Sequence, residues 1–356
     1  MRDLDWQAVQ EAVAGGSVLA CGGGGWVDHG FLVGRTAVSY GVPRLADLDE
    51  VDPDALVVTV TAIGAPGAAA WEMQPSDYVR ALELLMDELD EPVVATMTAQ
   101  NGSSTTCNGW VQSAVLGTLV LDAAGDGRAH PTGKMGSIGL TSEPGYITVQ
   151  TVAGGNRADG RYLEAIARGP VAHCANILRT ASDESGGFIA SARNPVRANY
   201  VREHAAVGAV SFAMGLGEAM LAAEPNGPET VIDAICERIG GTILARGPVE
   251  EKDQRYEHAF DIGSLRVGEV ELGFVNEYLT AEADSERLGT FPDVLTTLSL
   301  TDGRPASIAN LADGDEVAVL HAPKSAIPLG DGVRDPSVYP EVEAMLGKPL
   351  AELALA

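Results

Sequence analysis

The sequence predicts an α/β fold, with an N-terminal α/β domain on a mixed or parallel sheet and a second, β-rich α+β domain at the C-terminus. Between residues 15 and 130, apolar runs of strand length alternate with glycine-bearing loops and helical segments, which is typical of a parallel or mixed sheet. From residue 241 onward, short alternating strands predominate. The 356 residues exceed one small core, so we expect two domains, 1–165 and 166–356.

The first forty residues predict a helix, a strand, a glycine run and a second helix. Helical spacing covers 3–14, the apolar run Val18–Cys21 predicts a short strand, and a helical pattern covers 31–40. Four glycines, 22–25, lie between that strand and the second helix. Such a turn can present amides to an anion, or it can simply let the helix pack closely on the strand. It matches neither the Walker motif nor G-x-G-x-x-G, so a nucleotide cofactor is not favoured.

Further strand–loop–helix units follow before residue 130. Strands are predicted over 55–60, 92–97 and 115–121, and helices over 76–89 and 110–116. The loops after the strands, 63–67, 100–109 and 122–134, are rich in glycine and polar residues. Because the carboxyl ends of parallel strands meet at one edge of a sheet, we expect these loops and 22–30 to converge on one rim.

After residue 136 the predicted secondary structure changes twice. A β-rich segment over 137–153 is followed by helical patterns over 159–168, 194–222 and 228–239. Strands are then predicted over 242–244, 260–265, 267–274 and 316–320. This composition predicts the second, β-rich domain.

Charge and cysteine usage limit the functional classes. With 23 Lys+Arg and 50 Asp+Glu, the net charge is −27, which argues against binding to nucleic acid or to anionic membranes. The sequence has no apolar run of transmembrane length and no signal-peptide core near the acidic N-terminus, so we expect a cytoplasmic protein. Its four widely spaced cysteines include no C-x-x-C pair, which predicts neither a zinc knuckle nor disulfides.

The loop after the strand 115–121 combines the most chemically useful side chains. Asp122 ends the apolar run, and Asp126, Arg128, His130 and Lys134 follow among glycines. An acid, a guanidinium and an imidazole at the end of a buried strand could form an active site. The same residues could also form a tight turn, with Asp122 as a helix cap and Arg128 paired to a carboxylate.

Several motifs, taken in order, resemble those of one family. They are Leu19–Gly25, Ile63–Pro66, Asp122–Pro131 with Met135, and Val275–Leu279 followed by Pro292–Asp293. Together they are similar to the two-domain hydantoin-utilisation-type proteins, which include S-methyl thiohydantoin desulfurases, over about residues 8 to 320. The chain resembles a divergent member of this family: His130 stands where the family usually has Phe, and the family's glutamate before a Gly-Gly pair falls near Ala99.

The resemblance implies a hydrolase acting on a hydantoin-like or S-alkyl thiohydantoin-like five-membered ring, by C–S or C–N bond hydrolysis. Such a reaction needs a nucleophile and proton transfer. The predicted catalytic residues are Cys107, as a thiolate near a helix N-terminus, and Asp126 and His130, which could move protons or activate water. Cys107 could equally be a small buried residue, and His130 an ordinary turn histidine.

The predicted substrate-binding residues come from the glycine run, the polar loops and the second domain. Arg128 could hold a substrate carboxylate, while Asn276 and Glu277 could close over the site or simply tie the domains together. The full set is Gly23, Gly24, Gly25, His29, Gln100, Asn101, Arg128, Lys134, Asn276 and Glu277.

Cofactor and partner expectations remain broader. Asp28, His29, Asp126 and His130 offer oxygen and imidazole ligands for a divalent metal, but their spacing matches no established motif, so the metal is left unknown. We expect a small-molecule substrate and a homo-oligomer. The alternative function is a non-catalytic small-molecule-binding protein or a subunit of a partner enzyme, which the missing glutamate near Ala99 favours.

Overall fold

The computed structural model describes residues 1–65 and 67–356 and contains two sheets with helices packed around them. Pro66, in the predicted 63–67 loop and the Ile63–Pro66 motif, lies outside the described residues. The helices are α1 Trp6–Leu19, α2 Val27–Tyr40, α3 Pro75–Asp87, α4 Trp110–Leu116, α5 Val171–Glu184, α6 Ala198–His204, α7 Ala209–Ala223, α8 Pro228–Ile239, α9 Tyr339–Leu346 and α10 Ala351–Ala354. Within the described ranges, no helix is both long and apolar enough to cross a membrane.

The first sheet is mixed, as predicted. Its strands are β1 Arg2–Asp3, β2 Arg44–Ala46, β3 Leu56–Gly64, β4 Val93–Thr98, β5 Leu119–Ala124, β6 Thr148–Gly154, β7 Leu163–Gly169, β8 Phe188–Arg197 and β9 Ala206–Val207. The spatial order is β1-β2-β5-β4-β3-β8-β6-β7, with β9 paired to β5. Strands β2, β5, β4 and β3 are mutually parallel, whereas β8, β6 and β7 continue the sheet in antiparallel pairs.

The second sheet is antiparallel and confirms the β-rich C-terminal half. Its strands are β10 Thr242–Glu257, β11 Phe260–Val267, β12 Val270–Val275, β13 Glu277–Ala283, β14 Glu286–Thr290, β15 Val294–Ser299, β16 Pro305–Ala306 and β17 Glu316–Ala322. The order is β14-β13-β12-β11-β10-β17-β15-β16. The predicted α/β class with a second β-rich unit is therefore correct.

The local predictions for 18–21 and 159–168 are wrong, and the segment over 137–153, predicted to be β-rich, is strand only from Thr148. The run Val18–Cys21 is not a strand: α1 continues to Leu19, because Val18 and Leu19 pack with Leu216 and Met220 of α7 in one apolar cluster. The helix predicted over 159–168 is largely strand β7. There Leu163, Ala165 and Ala167 pack in one cluster while the residues between them face away, so the true period is two rather than 3.6.

The chain moves from the first sheet to the second well after residue 165. That residue is inside β7, and both β8 and β9 belong to the first sheet, so the first strand of the second sheet begins only at Thr242. Helices α7 and α8 occupy the interval and pack against residues of α1, β15 and β17. The domain division at 165 stays a prediction.

Helices α1 and α7 approach so closely that glycine is required where they cross. A Cβ on Gly217 would lie 1.9 Å from the carbonyl oxygen of Glu11, and one on Gly15 would lie 1.8 Å from that of Ala213. These atoms are backbone, so no side chain can move to make room. The crossing holds the start of the chain against the segment that links the two sheets.

We therefore expect Gly217→Ala to lower the free energy of unfolding by about 1–3 kcal/mol, because the helices must separate. Gly215→Ala is the matched control in the same helix, since its Cβ would meet only the end of the Arg238 side chain at 3.0 Å. Alanine is also the better helix former. Urea unfolding of both variants checks this, and equal stability of the two would contradict the packing argument.

Candidate functional site

One narrow cavity lies where the loops of the first sheet meet the second sheet. The expected convergence of loops is confirmed for its described part, since the cavity is lined from the glycine run, the end of β3 and the loops after β4 and β5. Residues of α5, β8 and the turn before β13 complete the wall. The lining residues are Gly24, Gly25, Thr61–Gly64, Gln100, Thr105, His130–Gly133, Arg179, Phe188, Arg193, Asn276 and Glu277.

The parallel strands explain this convergence. Strands β3, β4 and β5 run in one direction, so the segments after their last residues leave the sheet at the same edge. Strand β8 is antiparallel to β3, and Phe188 at its start pairs with Gly64 at the end of β3. The same edge is therefore lined by loops from three strands and by one strand start.

The turn between β12 and β13 brings a carboxyl group from the second sheet into this cavity. Asn276 has a positive φ of 58°, and its side-chain oxygen accepts a 2.9 Å hydrogen bond from the Asp261 amide. Glu277, only 3% exposed, follows directly. A Cβ on Gly23 would lie 2.6 Å from Glu277 Oε1, so the glycine run lets the backbone approach this carboxyl group closely.

The Glu277 carboxyl group is only partly hydrogen-bonded. The amide of Gly24 donates to its Oε1 at 3.4 Å, while its Oε2 is buried without a hydrogen-bond partner. Burial raises the pKa of Glu277 to about 8, although the nearby Arg128 charge and the Gly24 amide oppose the shift. Near neutral pH this side chain therefore populates both its protonated and its ionised forms.

His130 presents an unprotonated nitrogen. Its Nε2 lies 3.3 Å from the carbonyl oxygen of Ala99, which can only accept, so the proton is assigned to Nε2. Its Nδ1 is buried without a partner. Burial lowers the pKa of His130 to about 3, which keeps the ring neutral. The side-chain oxygen of Gln100 accepts from the His130 amide at 3.1 Å and fixes this loop.

Two arginines of the cavity were missed by the sequence reasoning. Arg193 of β8 is 4% exposed, and burial and the neighbouring Arg179 charge lower its pKa to about 10. Burial lowers the pKa of Arg179 likewise to about 10. Arg179 donates to the carbonyls of Pro131, Ala259 and Gly64. For Arg193 the available signal was a charged residue inside a largely buried strand, since buried charges are rare; Arg179 lies in α5.

A second cavity adjoins the first and shares Ile63, Thr132, Gly133, Arg179 and Arg193 with it. Lys134 lines this second cavity, where its ammonium group pairs with Glu341 of α9. Lys134 thus lies beside the two arginines but is neutralised by its partner.

Asp126 and Arg128 lie beside the cavity rather than in its wall. The guanidinium of Arg128 is fully buried and donates to the carbonyls of Ala129, Tyr278 and Asp293. Its donors are thereby committed to the backbone. Burial raises the pKa of Asp126 to about 7, with the Arg128 charge opposing the shift.

Three further predicted residues are placed elsewhere. Cys107 is buried in an apolar core cluster with Trp110, and burial raises its pKa to about 12, which disfavours a thiolate. Asn101 donates to the carbonyls of Gly127 and Ala209 and so holds loops together. His29 lies 3.1 Å from the Tyr78 hydroxyl, and burial lowers its pKa to about 4.

The residues offered as metal ligands are not brought together. In the part of the chain that the structure describes, no group of three or more His, Cys, Asp or Glu side chains could hold a metal ion. His29 faces an aromatic cluster that includes Trp26 and Trp71, whereas His130 faces the cavity. A metal role for Asp28, His29, Asp126 and His130 gains no support from this geometry.

Comparisons with known proteins give a consistent result. A model of the S-Me-THD-like N-terminal domain matches residues 7–158, and one of the S-Me-THD-like C-terminal domain matches 171–328. A crystal structure of a protein from Chromobacterium violaceum superposes with a TM-score of 0.74 at 21% identity, covering 99% of each chain, which shows a shared fold. No curated protein matches the sequence.

The environment of Glu277 predicts a pH-dependent stability. Since the folded-state pKa is about 8 and that of an unfolded glutamate is about 4.3, the folded protein keeps a proton that the unfolded chain loses. Stability therefore falls as the pH rises through this interval. Glu277→Gln removes the effect, so we expect the unfolding free energy of the variant, relative to wild type, to increase from pH 5 to pH 8.

Urea unfolding at several pH values measures this difference. Glu203→Gln, at an exposed glutamate, is the control and should follow the wild-type profile. A constant difference between Glu277→Gln and wild type across the interval would contradict the raised pKa.

Proposed function

The chain belongs to the S-methyl thiohydantoin desulfurase-like (S-Me-THD-like) family, and from that premise we propose that it hydrolyses the C–S bond of S-alkyl thiohydantoin-like rings. The observation that carries the proposal is the buried Glu277 carboxyl group, which lines the cavity with one oxygen unpartnered. A group with a pKa near the working pH is suited to transfer protons in both directions.

The reaction consumes one water molecule. Water adds to the ring carbon that carries sulfur and opens its C=N double bond, and the ring nitrogen takes up one of the two water protons. The C–S bond of the resulting tetrahedral species then breaks, and the other proton goes to sulfur. The sulfur leaves with a proton as a thiol, and the ring carbon becomes the carbonyl carbon of a hydantoin. The step needs a base for the attacking water and an acid for the departing sulfur, with no oxidant or reductant.

Glu277 can supply both functions in sequence. Its ionised form takes a proton from water, and its protonated form then donates to sulfur. His130 is assigned a binding role, because its neutral ring presents an Nδ1 lone pair that can accept a ring N–H. Cys107 and Asp126 receive no direct role in this proposal, since neither lines the cavity.

The two arginines favour a substrate with a negative charge. Arg179 and Arg193 line the same cavity. Burial lowers the pKa of each only to about 10, so both stay cationic near neutral pH. A neutral ring alone would leave these buried charges uncompensated. We therefore assign the substrate an acidic substituent on the ring, such as a carboxyalkyl chain, which a guanidinium can bind in bidentate fashion.

Glu277→Gln tests the catalytic assignment, because the amide keeps the shape but cannot transfer the proton. We expect kcat for an S-methyl thiohydantoin to fall by about 10²–10⁴-fold. Cys107→Ala is the control and should keep most of the wild-type kcat. Thiol release measures turnover, and circular dichroism verifies the fold of each variant.

The opposite pattern, with Cys107→Ala inactive and Glu277→Gln active, would contradict the role of Glu277 and identify Cys107 as the nucleophile. If the wild type binds such rings by calorimetry but releases no thiol from any, the protein is instead the small-molecule-binding protein of the alternative prediction.

Arg193→Gln tests the substrate charge. Wild type should prefer a ring with a carboxyalkyl substituent over its methyl ester by about 10–100-fold in kcat/KM, as expected for hydrogen bonds to a charged group. Arg193→Gln should lose most of that preference. Arg197→Gln is the control in the same strand, since Arg197 pairs with Glu91 at the surface. If the wild type has the same kcat/KM for the acid and for its methyl ester, the substrate needs no acidic substituent and this part of the proposal is wrong.

A further inference from the structure

The first sheet ends in an open edge. Strand β7 pairs with β6 over all seven of its residues without a register shift, and no other strand in the described ranges pairs with it. The other terminal strands, β1, β14 and β16, have two, five and two residues. Edges of soluble proteins are usually blocked by a bulge, a proline or charged side chains of one sign. Strand β7 contains no bulge, proline or lysine, and its two charged residues, Glu164 and Arg168, have opposite signs.

The exposed face of β7 is complementary to itself. Glu164, Ile166 and Arg168 alternate along one face, with Ile166 46% exposed at the centre of the strand. If two copies of β7 pair antiparallel about Ile166, each Glu164 lies opposite an Arg168 of the other copy. The central residues then meet as an apolar pair, with Cβ atoms about 4.5–5.5 Å apart.

Only this register is complementary. A two-fold axis perpendicular to the sheet keeps side chains of one face opposite each other, so the axis must pass through a residue pair. Centring on residue 165 would place Glu164 opposite Ile166, and centring on 167 would place Ile166 opposite Arg168. Both alternatives set a charge against an apolar side chain, whereas the register centred on Ile166 gives two acid–base pairs.

Helix α3 holds the two charged side chains on this face. Arg80 of α3 pairs with Glu164 through two hydrogen bonds, and Glu88, directly after α3, pairs with Arg168. Pairing across the axis would join these ion pairs into a chain of alternating charge, from Arg80 through Glu164 to the second copy. A network of this kind is more favourable than isolated surface pairs.

We propose that a second copy of this chain pairs antiparallel with β7 about a two-fold axis at Ile166, forming a dimer with one continuous sheet. We assign a second copy of the chain as the partner because the charges on β7 are self-complementary, and an isologous interface brings the same surface of both copies together. Pairing of main-chain groups supplies affinity at a strand edge, and the side chains fix the register.

Sedimentation of the full chain over a range of concentrations tests this interface. Wild type should sediment as a dimer. Ile166→Lys sets two like charges against each other at the axis, so we expect dimerisation to weaken by at least about 100-fold. The control Val115→Lys, at a 49% exposed position of α4, should stay dimeric. A monomeric wild type, or a dimer that survives Ile166→Lys, would overturn the proposal.

A charge exchange provides an independent test if Ile166→Lys fails to fold. Glu164→Arg and Arg168→Glu should each weaken the dimer, and the double variant should restore it, because opposite charges again face each other across the axis. The pairs with Arg80 and Glu88 stay broken in the double variant, so recovery separates the interface from effects within one chain. A double variant no more dimeric than the single variants would refute the register.

Discussion

The site depends on the hydrogen bonds that the buried guanidinium of Arg128 donates to backbone carbonyls. Arg128 belongs to the loop after β5, yet two of its three carbonyl acceptors come from the C-terminal half: Tyr278 is in β13 of the second sheet, and Asp293 is in the turn between β14 and β15. Its guanidinium also lies 5.0 Å from the ring centre of Phe291, which is in the same turn. Because Tyr278 follows Glu277 directly, this anchor fixes the position of the only carboxyl group that lines the cavity among the described residues. Arg128 does not line the cavity itself, so the structure places it to support the site rather than in its wall.

The charge of the cavity is opposite to that of the chain as a whole. The protein carries −27, but the cavity contains two guanidiniums and one carboxyl group that burial keeps largely protonated near neutral pH. Burial in the same low-dielectric surroundings lowers the pKa of His130 and raises that of Glu277. His130 therefore stays neutral, whereas Glu277 can take up and release a proton near neutral pH. A small anionic ring would meet complementary charge in this cavity, and on this ground we connect the family's chemistry with these side chains.

Sequence reasoning was most successful where a pattern is local. The helices over 110–116 and 228–239, the strand–loop–helix order before residue 130 and the β-rich C-terminal half follow from apolar periodicity and glycine placement. It failed at Val18–Cys21, where contacts with α7 extend a helix, and at 159–168, where pairing with β6 imposes a strand. In both segments a distant partner, invisible to local periodicity, decides the conformation.

The sequence by itself determined the fold class, the family and the rim on which the loops gather, because these depend on the order of apolar runs and glycines. It also drew attention to Gln100, His130, Asn276 and Glu277, which the cavity does bring together. Only the tertiary structure decided that Cys107 lies in the core, that Arg128 serves the backbone, and that Arg179 and Arg193 supply the positive charge. Burial and partner choice are set by residues far apart in the chain, and these two properties decide which ionisable groups remain available for chemistry.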